Sequence, residues 1–316
     1  MKKVLLYLLS IFIISCSNNS TKKTLNDISE MGFQGKVKTY ESKSYEVTGY
    51  EFGQPVYDLY FTYKNNYNEY GFIVDGMSNY ESEYYNSLFR ENLEYSNPVL
   101  GLISKREYES VRDEKKDSYT QSFKYDSISN KLIQRKTLNI ETNTSELTNI
   151  NYESGEVRIT RYDDSSNELK GIRIEKLDDK ENLISSTEYD KDGKALDETY
   201  ILKLKNGVSK DSTINRFQDG DIYYIGVRTF DKHLREIKYI RYDEDEVDGY
   251  IKEYDNDNKN SSYTKQEFSG LQEVIIKKFK VQITLDEAGN IVEELTMNLD
   301  NNQIESKIVK NYTYYN

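Results

Sequence analysis

The sequence contains very little cysteine, histidine, proline or tryptophan. Its 316 residues include one Cys, one His, two Pro and no Trp. One Cys cannot form a disulfide within the chain, and one Cys with one His cannot supply the four ligands of a structural zinc site. The single histidine, His233, is predicted to be a solvated turn residue. Without it the chain has no Ser-His or Cys-His nucleophile pair.

Clusters of basic residues are also scarce. The chain has 43 Lys and Arg against 55 Asp and Glu, which gives a formal net charge of −12. Binding to nucleic-acid phosphates needs clustered cations, whereas the basic residues here form short pairs such as Lys115-Lys116 and Lys277-Lys278. We interpret these pairs as solvated strand faces and predict no nucleic-acid partner.

The acidic residues do not form a standard calcium loop. Residues 255–260 begin like an EF-hand loop, but Lys259 stands at the fifth position, where an oxygen ligand is required, and the sixth position lacks glycine. We interpret the acidic stretches as solvated turns that keep sheet edges from pairing. The prediction is no metal and no cofactor, with a loose, low-affinity Ca²⁺ site left open.

One long apolar run is present, at residues 4–14, after a basic start at Lys2 and Lys3. Its eleven residues match a signal-peptide core and are too few for a membrane-spanning helix, which needs about 20. The segment Ile13-Ile14-Ser15-Cys16 resembles the bacterial lipobox. That resemblance implies cleavage between Ser15 and Cys16 and attachment of lipid to Cys16. Several acyl chains anchor a protein stably where one does not.

The predicted domains follow from this start. Residues 1–15 form a lipoprotein signal peptide, 16–32 comprise the lipidated Cys16 and a flexible tether, and 33–316 form one Tyr-rich β-repeat domain. Loss of Lys2 and Lys3 lowers the net charge to −14. Ser rather than Asp after the Cys resembles the outer-membrane sorting pattern of Gram-negative lipoproteins. We therefore expect an outer-membrane lipoprotein that faces the periplasm.

The body of the chain repeats one turn pattern. Its 30 tyrosines recur largely at alternate positions, as in half-buried strands. Three segments combine Asp or Asn with Gly three residues later, which suits a type I turn followed by a left-handed glycine. The turn residues of these segments are Asn68 and Gly71, Asp190 and Gly193, and Asp286 and Gly289. Degenerate copies begin at Leu177 and Phe230.

The reversals fall every ten to fifteen residues, which predicts an all-β fold. We expect a long, curling antiparallel meander of β-hairpins that forms an open barrel or half-shell. Two segments depart from the alternation. Residues 78–95 have aromatic and leucine side chains at helical spacing, which predicts a short helix or an irregular insertion. Residues 139–151 are polar and predict a long hairpin tip or loop.

The apolar-Asp-x-x-Gly turns followed by alternation resemble the YD/RHS-type repeat. The start at Gly35-Lys36-Val37-Lys38-Thr39-Tyr40 is similar to small RHS-like lipoproteins of Bacteroidota. The resemblance implies consecutive β-hairpins in a curling sheet and implies no catalysis.

The sequence favours a lipid-anchored, non-catalytic binding or scaffold module of the cell envelope. Its partners would be the membrane, through Cys16, and an envelope protein or glycan. Two alternatives stay open: an immunity or inhibitor protein against a toxin or hydrolase, and an envelope glycan hydrolase. The hydrolase is less favoured because the carboxylates cluster in turns, where they ionise normally in water.

Overall fold

Twenty β-strands and one short α-helix form the part of the chain that the structure, a computed structural model, describes. The described residues are 26–315 without 83–84, 113–114, 204–208, 217–220, 244–245, 259 and 271. The helix α1 covers Asp27–Glu30. The strands are β1 (Val37–Glu51), β2 (Gln54–Tyr67), β3 (Ile73–Ser82), β4 (Tyr85–Asn97), β5 (Leu102–Arg112), β6 (Lys115–Tyr125), β7 (Leu132–Asn139), β8 (Thr144–Glu153), β9 (Glu156–Asp163), β10 (Leu169–Leu177), β11 (Leu183–Asp190), β12 (Ala195–Lys203), β13 (Ser209–Arg216), β14 (Ile222–Phe230), β15 (Glu236–Tyr242), β16 (Val247–Tyr254), β17 (Tyr263–Ser269), β18 (Val274–Leu285), β19 (Ile291–Asn298) and β20 (Gln303–Tyr314). In this described part, no helix is long and apolar enough to cross a lipid bilayer.

All the strands belong to one antiparallel sheet in which each strand pairs with its neighbours in the sequence. The sheet closes because β1 pairs with both β2 and β20: Tyr40 lies opposite Asn65 on one side and Tyr312 on the other. The predicted all-β meander of consecutive hairpins is therefore confirmed. The prediction of an open barrel or half-shell is corrected, since the first and last strands meet and leave no free lateral edge along their paired length.

The closed sheet has two different ends. An even number of antiparallel strands places both ends of the described chain on one side, where the backbone N–H of Tyr315 donates to Lys36 O at 2.9 Å. We call this side, with α1 and the β2–β3 turn, the terminal end. The opposite side, with the β1–β2 turn at Phe52 and Gly53, is the distal rim.

Most of the apolar core lies near the terminal end. One cluster joins α1 to the sheet through Ile28, Val37, Tyr40, Tyr67 and Ile73. A second cluster contains Leu132, Ile150 and Val157. Both are small for a chain of this length, because much of each strand exposes one face to water.

The prediction of a helix or irregular insertion at 78–95 is wrong. Its described residues form the end of β3 and most of β4, in which Tyr80 lies opposite Phe61 and Leu88 lies opposite Val111. The local helical spacing is weak because Ser, Asn and Tyr are poor helix formers. Cross-strand partners distant in sequence outweigh it.

The polar segment 139–151 is a loop only at its start. Residues 140–143 form the β7–β8 turn, and β8 begins at Thr144. Thr148 and Ile150 are buried in that strand. Polar residues alternate here because one face of the strand is solvated.

Candidate binding surface

Two of the residues predicted from the lipobox, Ser15 and Cys16, lie outside the described residues. The six predicted turn residues lie within them. The three glycines have left-handed backbone angles that glycine adopts without strain: φ is 86° at Gly71, 83° at Gly193 and 89° at Gly289. Each Asn or Asp accepts a hydrogen bond from the backbone four residues later: Asn68 from Phe72, Asp190 from Lys194 and Asp286 from Asn290. These residues shape separate reversals of the sheet and do not converge on one site.

The segment before β1 fastens onto the terminal end. The ring of Phe33 lies 4.8 Å from that of Tyr40 and 5.2 Å from that of Tyr312, which links β1 and β20. The backbone N–H of Gln34 donates to Asn290 Oδ1 at 2.6 Å. These contacts cover the part of the terminal end where β1 and β20 meet.

Asp27 holds this segment with a buried carboxyl. Its Oδ2 accepts the backbone N–H of Ile73 at 2.6 Å. Burial raises the pKa of Asp27 to about 6, although the bond from Ile73 lowers it, and nearby Glu30 and Glu91 raise it further. The contacts at the terminal end therefore include the carboxyl of Asp27, whose pKa is close to neutral pH.

The acidic loop between β16 and β17 contacts the chain's own cations. Lys280 pairs with Asp255. The guanidinium of Arg235 donates to the carbonyl oxygens of Asn256 and Asn258 at 2.8 and 2.7 Å. Among the described residues, no group of three or more His, Cys, Asp or Glu is arranged to hold a metal ion. Several oxygens that suggested a calcium loop are thus bound by cationic side chains.

His233 lies in the β14–β15 turn beside that loop. Its backbone N–H donates to Asp231 Oδ1 at 2.8 Å, and its Nε2 lies 3.8 Å from Asp257 Oδ1. Lys232 Nζ is nearer to the same carboxylate, at 3.1 Å from Oδ2. These are the contacts of a turn residue that docks against a neighbouring loop.

The sheet face that carries Tyr40 is lined by ion pairs as well as by apolar groups. Arg106 Nη2 lies 2.6 Å from Glu91 Oε2, and Arg228 Nε lies 2.9 Å from Asp211 Oδ1. Further pairs on the same sheet are Arg161 with Glu188, Lys252 with Glu236, and Lys310 with Glu294. Because cation and anion contact each other, this network neutralises its charge internally.

A polar cleft opens at the distal rim between β6 and β10. Its volume is about 420 Å³, and it is lined by Tyr119, Thr137, Asn139, Thr144, Ser145, Glu146, Asp163 and Lys170. The Tyr119 ring stacks on Tyr108 with centroids 4.8 Å apart. Hydroxyls, an amide and both signs of charge around an aromatic ring suit a hydroxyl-bearing ligand.

Asp163 in this cleft is a turn residue. Its carboxylate accepts hydrogen bonds from the backbone and hydroxyl groups of Ser165 and Ser166, which hold the pKa of Asp163 well below its usual range. A general acid needs a raised pKa. This carboxylate therefore does not suit the acid role in glycoside hydrolysis.

The β17–β18 hairpin also projects from the distal rim. The last residue pair between β18 and β19 is Phe279 with Asn298. One further hydrogen bond follows it, from the backbone N–H of Leu299 to Lys278 O at 2.8 Å. Residues 274–277 pair with β17 on one side, and no described residue pairs with their other side. This open edge carries exposed aliphatic side chains.

No protein-family model and no curated protein matches this chain. Among solved structures, a porin-like protein from Bacteroides uniformis aligns with 89% of this chain and 99% of that one, at 12% identity and a TM-score of 0.34. A porin-like protein from Bacteroides vulgatus aligns with 86% and 97%, at 9% identity and 0.24. A Tc holotoxin pore structure from Photorhabdus luminescens aligns with 84% of this chain and 19% of that one, at 10% identity and 0.18. All three TM-scores are below 0.5, so these similarities assign no function to this chain.

The sequence did not reveal the two features of the distal rim. The cleft joins residues from five strands that alternate like any other strand. The β18 edge contains Lys277-Lys278, which the sequence placed on a solvated face. The adjacent Val-Ile-Ile run was the available signal, because three β-branched residues in succession are expected to be buried.

Proposed function

We propose that this chain is an outer-membrane lipoprotein, held through Cys16 and facing the periplasm, and that its closed sheet is a non-catalytic binding or scaffold module. The lipobox-like segment before Cys16 supports the anchor. The binding function rests on the difference between the two ends of the sheet. At the terminal end, α1 and Phe33 cover the region where β1, β2 and β20 meet, whereas the distal rim carries the polar cleft and the open β18 edge.

The position of the anchor supports this assignment. Asn26 lies at the terminal end, where its Nδ2 donates to Tyr70 O at 2.6 Å. Cys16 precedes it by ten residues, which span about 35 Å at most when extended. An anchor at Cys16 therefore places the membrane on the side of the terminal end and leaves the distal rim accessible to partners.

Substituting Cys16 by Ala tests the anchor. We expect the variant to lose labelling by a fatty-acid analogue and to leave the membrane fraction, while Ser17→Ala, next to it, keeps both properties. Equal membrane partitioning of the two variants would contradict the anchor.

Crosslinking of the full-length protein in its native envelope, followed by mass spectrometry, tests the binding role. A stoichiometric protein partner captured through distal-rim positions is the expected result, and its identity separates scaffold from inhibitor. Recovery of glycan in place of protein would assign the cleft as the ligand site. Hydrolysis of an envelope polysaccharide that a single Asp or Glu substitution abolishes would overturn the non-catalytic assignment.

A further inference from the structure

We propose that the open edge of β18 binds an extended segment of a partner protein, which adds a strand to the sheet and presents acidic residues to Lys277 and Lys278. This inference deepens the proposed binding function and rests on it. It names the surface, the mode of binding and the chemistry of the partner.

The backbone of β18 supplies the first reason. An edge strand presents a row of unpaired N–H and C=O groups, and a chain that adds to such an edge gains main-chain hydrogen bonds. Within residues 274–277, Val274 lies opposite Ser269 and Lys277 opposite Glu267 of β17, and the register shifts by one residue between them, at Ile276. No described residue covers the other edge of these four residues, which is long enough for a short added strand.

The side chains along this edge supply the second reason. Val274 and Ile276 are each 58% exposed, and Ile275 is 36% exposed. A stretch of three adjacent β-branched residues gains free energy when a second strand covers it. Elsewhere in the described sheet, exposed large aliphatic residues occur singly or in pairs, in turns and in strands, and do not form a run of three.

The charge next to these aliphatic residues indicates the partner's chemistry. Neither Lys277 nor Lys278 forms an ion pair with a described residue. Glu267 lies opposite Lys277 but forms its ion pair with Lys265, whose Nζ is 2.7 Å from Glu267 Oε1. Two adjacent free lysines in a protein of strongly negative net charge favour an acidic segment over a basic one.

The open edge of β2 at the rim suits an acidic strand less well. Among the described residues, 54–60 of β2 pair only with β1, since β3 pairing ends at Tyr80 opposite Phe61. That edge contains Pro55, which has no N–H to donate, and Asp58, whose charge would repel an acidic segment. The β18 edge carries lysines and a register shift, which disfavour pairing with neutral strands, so it is selective for a segment that neutralises its lysines.

Peptide binding tests the proposal. The protein is the full-length lipidated chain in lipid nanodiscs, and the probe is the blocked, fluorescent heptapeptide Thr-Glu-Glu-Val-Thr-Val-Thr. Antiparallel pairing sets its second Glu opposite Lys277 and its Val-Thr-Val opposite residues 276–274. Its first Glu extends past the open edge beside Lys278, whose carbonyl oxygen already accepts from Leu299. By anisotropy, we expect saturable binding that weakens about tenfold when alternate backbone nitrogens are methylated. A version with Lys-Lys in place of Glu-Glu should also bind about tenfold more weakly.

Variants of the edge locate the binding. The double variant Lys277→Glu, Lys278→Glu should lose affinity for the Glu-Glu peptide and gain affinity for the Lys-Lys peptide. The matched control, Lys176→Glu with Lys210→Glu, changes the net charge equally on exposed strand positions elsewhere and should leave both affinities unchanged. Ile276→Asp should abolish binding, whereas Ile140→Asp, at an equally exposed rim position, should not.

Four outcomes overturn the proposal. Binding that is unaffected by backbone methylation would show adsorption in place of strand addition. Equal effects of the two lysine double variants would show a non-specific charge effect. A photo-crosslinker at position 276 that captures a second copy of this chain, or lipid alone, would assign a different occupant. If the peptides do not bind but envelope crosslinking still captures a partner at other rim positions, the β18 site is wrong and the binding module stands.

Discussion

At the scale of single residues, Asn290 fastens the segment before β1 to the sheet. It is 2% exposed, its Oδ1 accepts the N–H of Gln34, and its Nδ2 donates to Gln34 O and Tyr314 Oη, each at 2.9 Å. We expect Asn290→Ala to lower the free energy of unfolding by about 1–3 kcal/mol, because it removes three hydrogen bonds, two of them to the backbone of Gln34. Urea denaturation of this variant beside Asn301→Ala, at an exposed turn position, measures the difference. Equal losses would contradict this role.

Asp27 gives the protein a predictable pH dependence. Its pKa of about 6 in the folded state lies above the ordinary value of 3.8. The folded state therefore holds this proton more tightly, and the stability it contributes below pH 3.8 is lost as the pH rises towards 6.

Asp27→Asn removes that dependence and keeps an oxygen for the Ile73 N–H. We expect the variant to gain stability relative to wild type between pH 4 and 7, by up to about 3 kcal/mol. Denaturation at unit pH steps measures the difference. Parallel curves for the two proteins would show that this carboxyl ionises normally.

The sequence predicted individual turn residues well, because an Asx-x-x-Gly turn depends on local geometry. It did not predict Asn290 or Asp27 as buried groups, since their partners Gln34 and Ile73 lie 256 and 46 residues away.

At the scale of elements, the turns differ in whether glycine stands where the backbone is left-handed. Gly193 has φ 83° with open space around it, whereas Leu234 has φ 61° at the matching position of its turn and is 74% exposed. A side chain in this conformation costs about 1–2 kcal/mol.

Leu234→Gly should therefore stabilise the protein, by about 0.5–1 kcal/mol after the added flexibility of the unfolded chain is subtracted. Gly193→Ala should destabilise it by about 1 kcal/mol. Thermal unfolding of both variants checks the opposite signs. Destabilisation by Leu234→Gly would show that the Leu side chain contributes a contact that outweighs its backbone strain.

Strands of this sheet were predictable where alternation was regular, as in β12 and β15. They were missed in β4 and β8, where Ser, Asn and Thr weaken the alternation. Such segments acquire their strand conformation from neighbours on both sides, which a short sequence window does not contain.

At the scale of the whole molecule, the seam between β1 and β20 maintains closure. Tyr312 contributes to it by contacting Phe33 and Tyr40 and donating its hydroxyl to Ile291 O at 3.0 Å. Because Tyr312 is partly buried, Tyr312→Ala should lower the free energy of unfolding by about 1–3 kcal/mol. Hydrogen exchange should show protection lost in β1 and β20 and retained in β12–β14. Uniform loss across the sheet would show that closure and the remaining strands form one cooperative unit.

The meander was predictable from the sequence, because its hairpins are local. Closure was not, because it depends on the sum of twist over twenty strands and on one pairing between distant segments.

That seam pairing also determines the order in which the molecule can assemble. Val37 lies opposite Tyr314, so the first strand meets one of its two partners only after the chain has been synthesised as far as β20. Closing so long a loop is entropically costly and slow compared with forming adjacent hairpins. Until then, β1 carries an unpaired edge to which another chain can add. If the chain matures in the periplasm, as proposed, depletion of periplasmic chaperones should cause aggregation before closure.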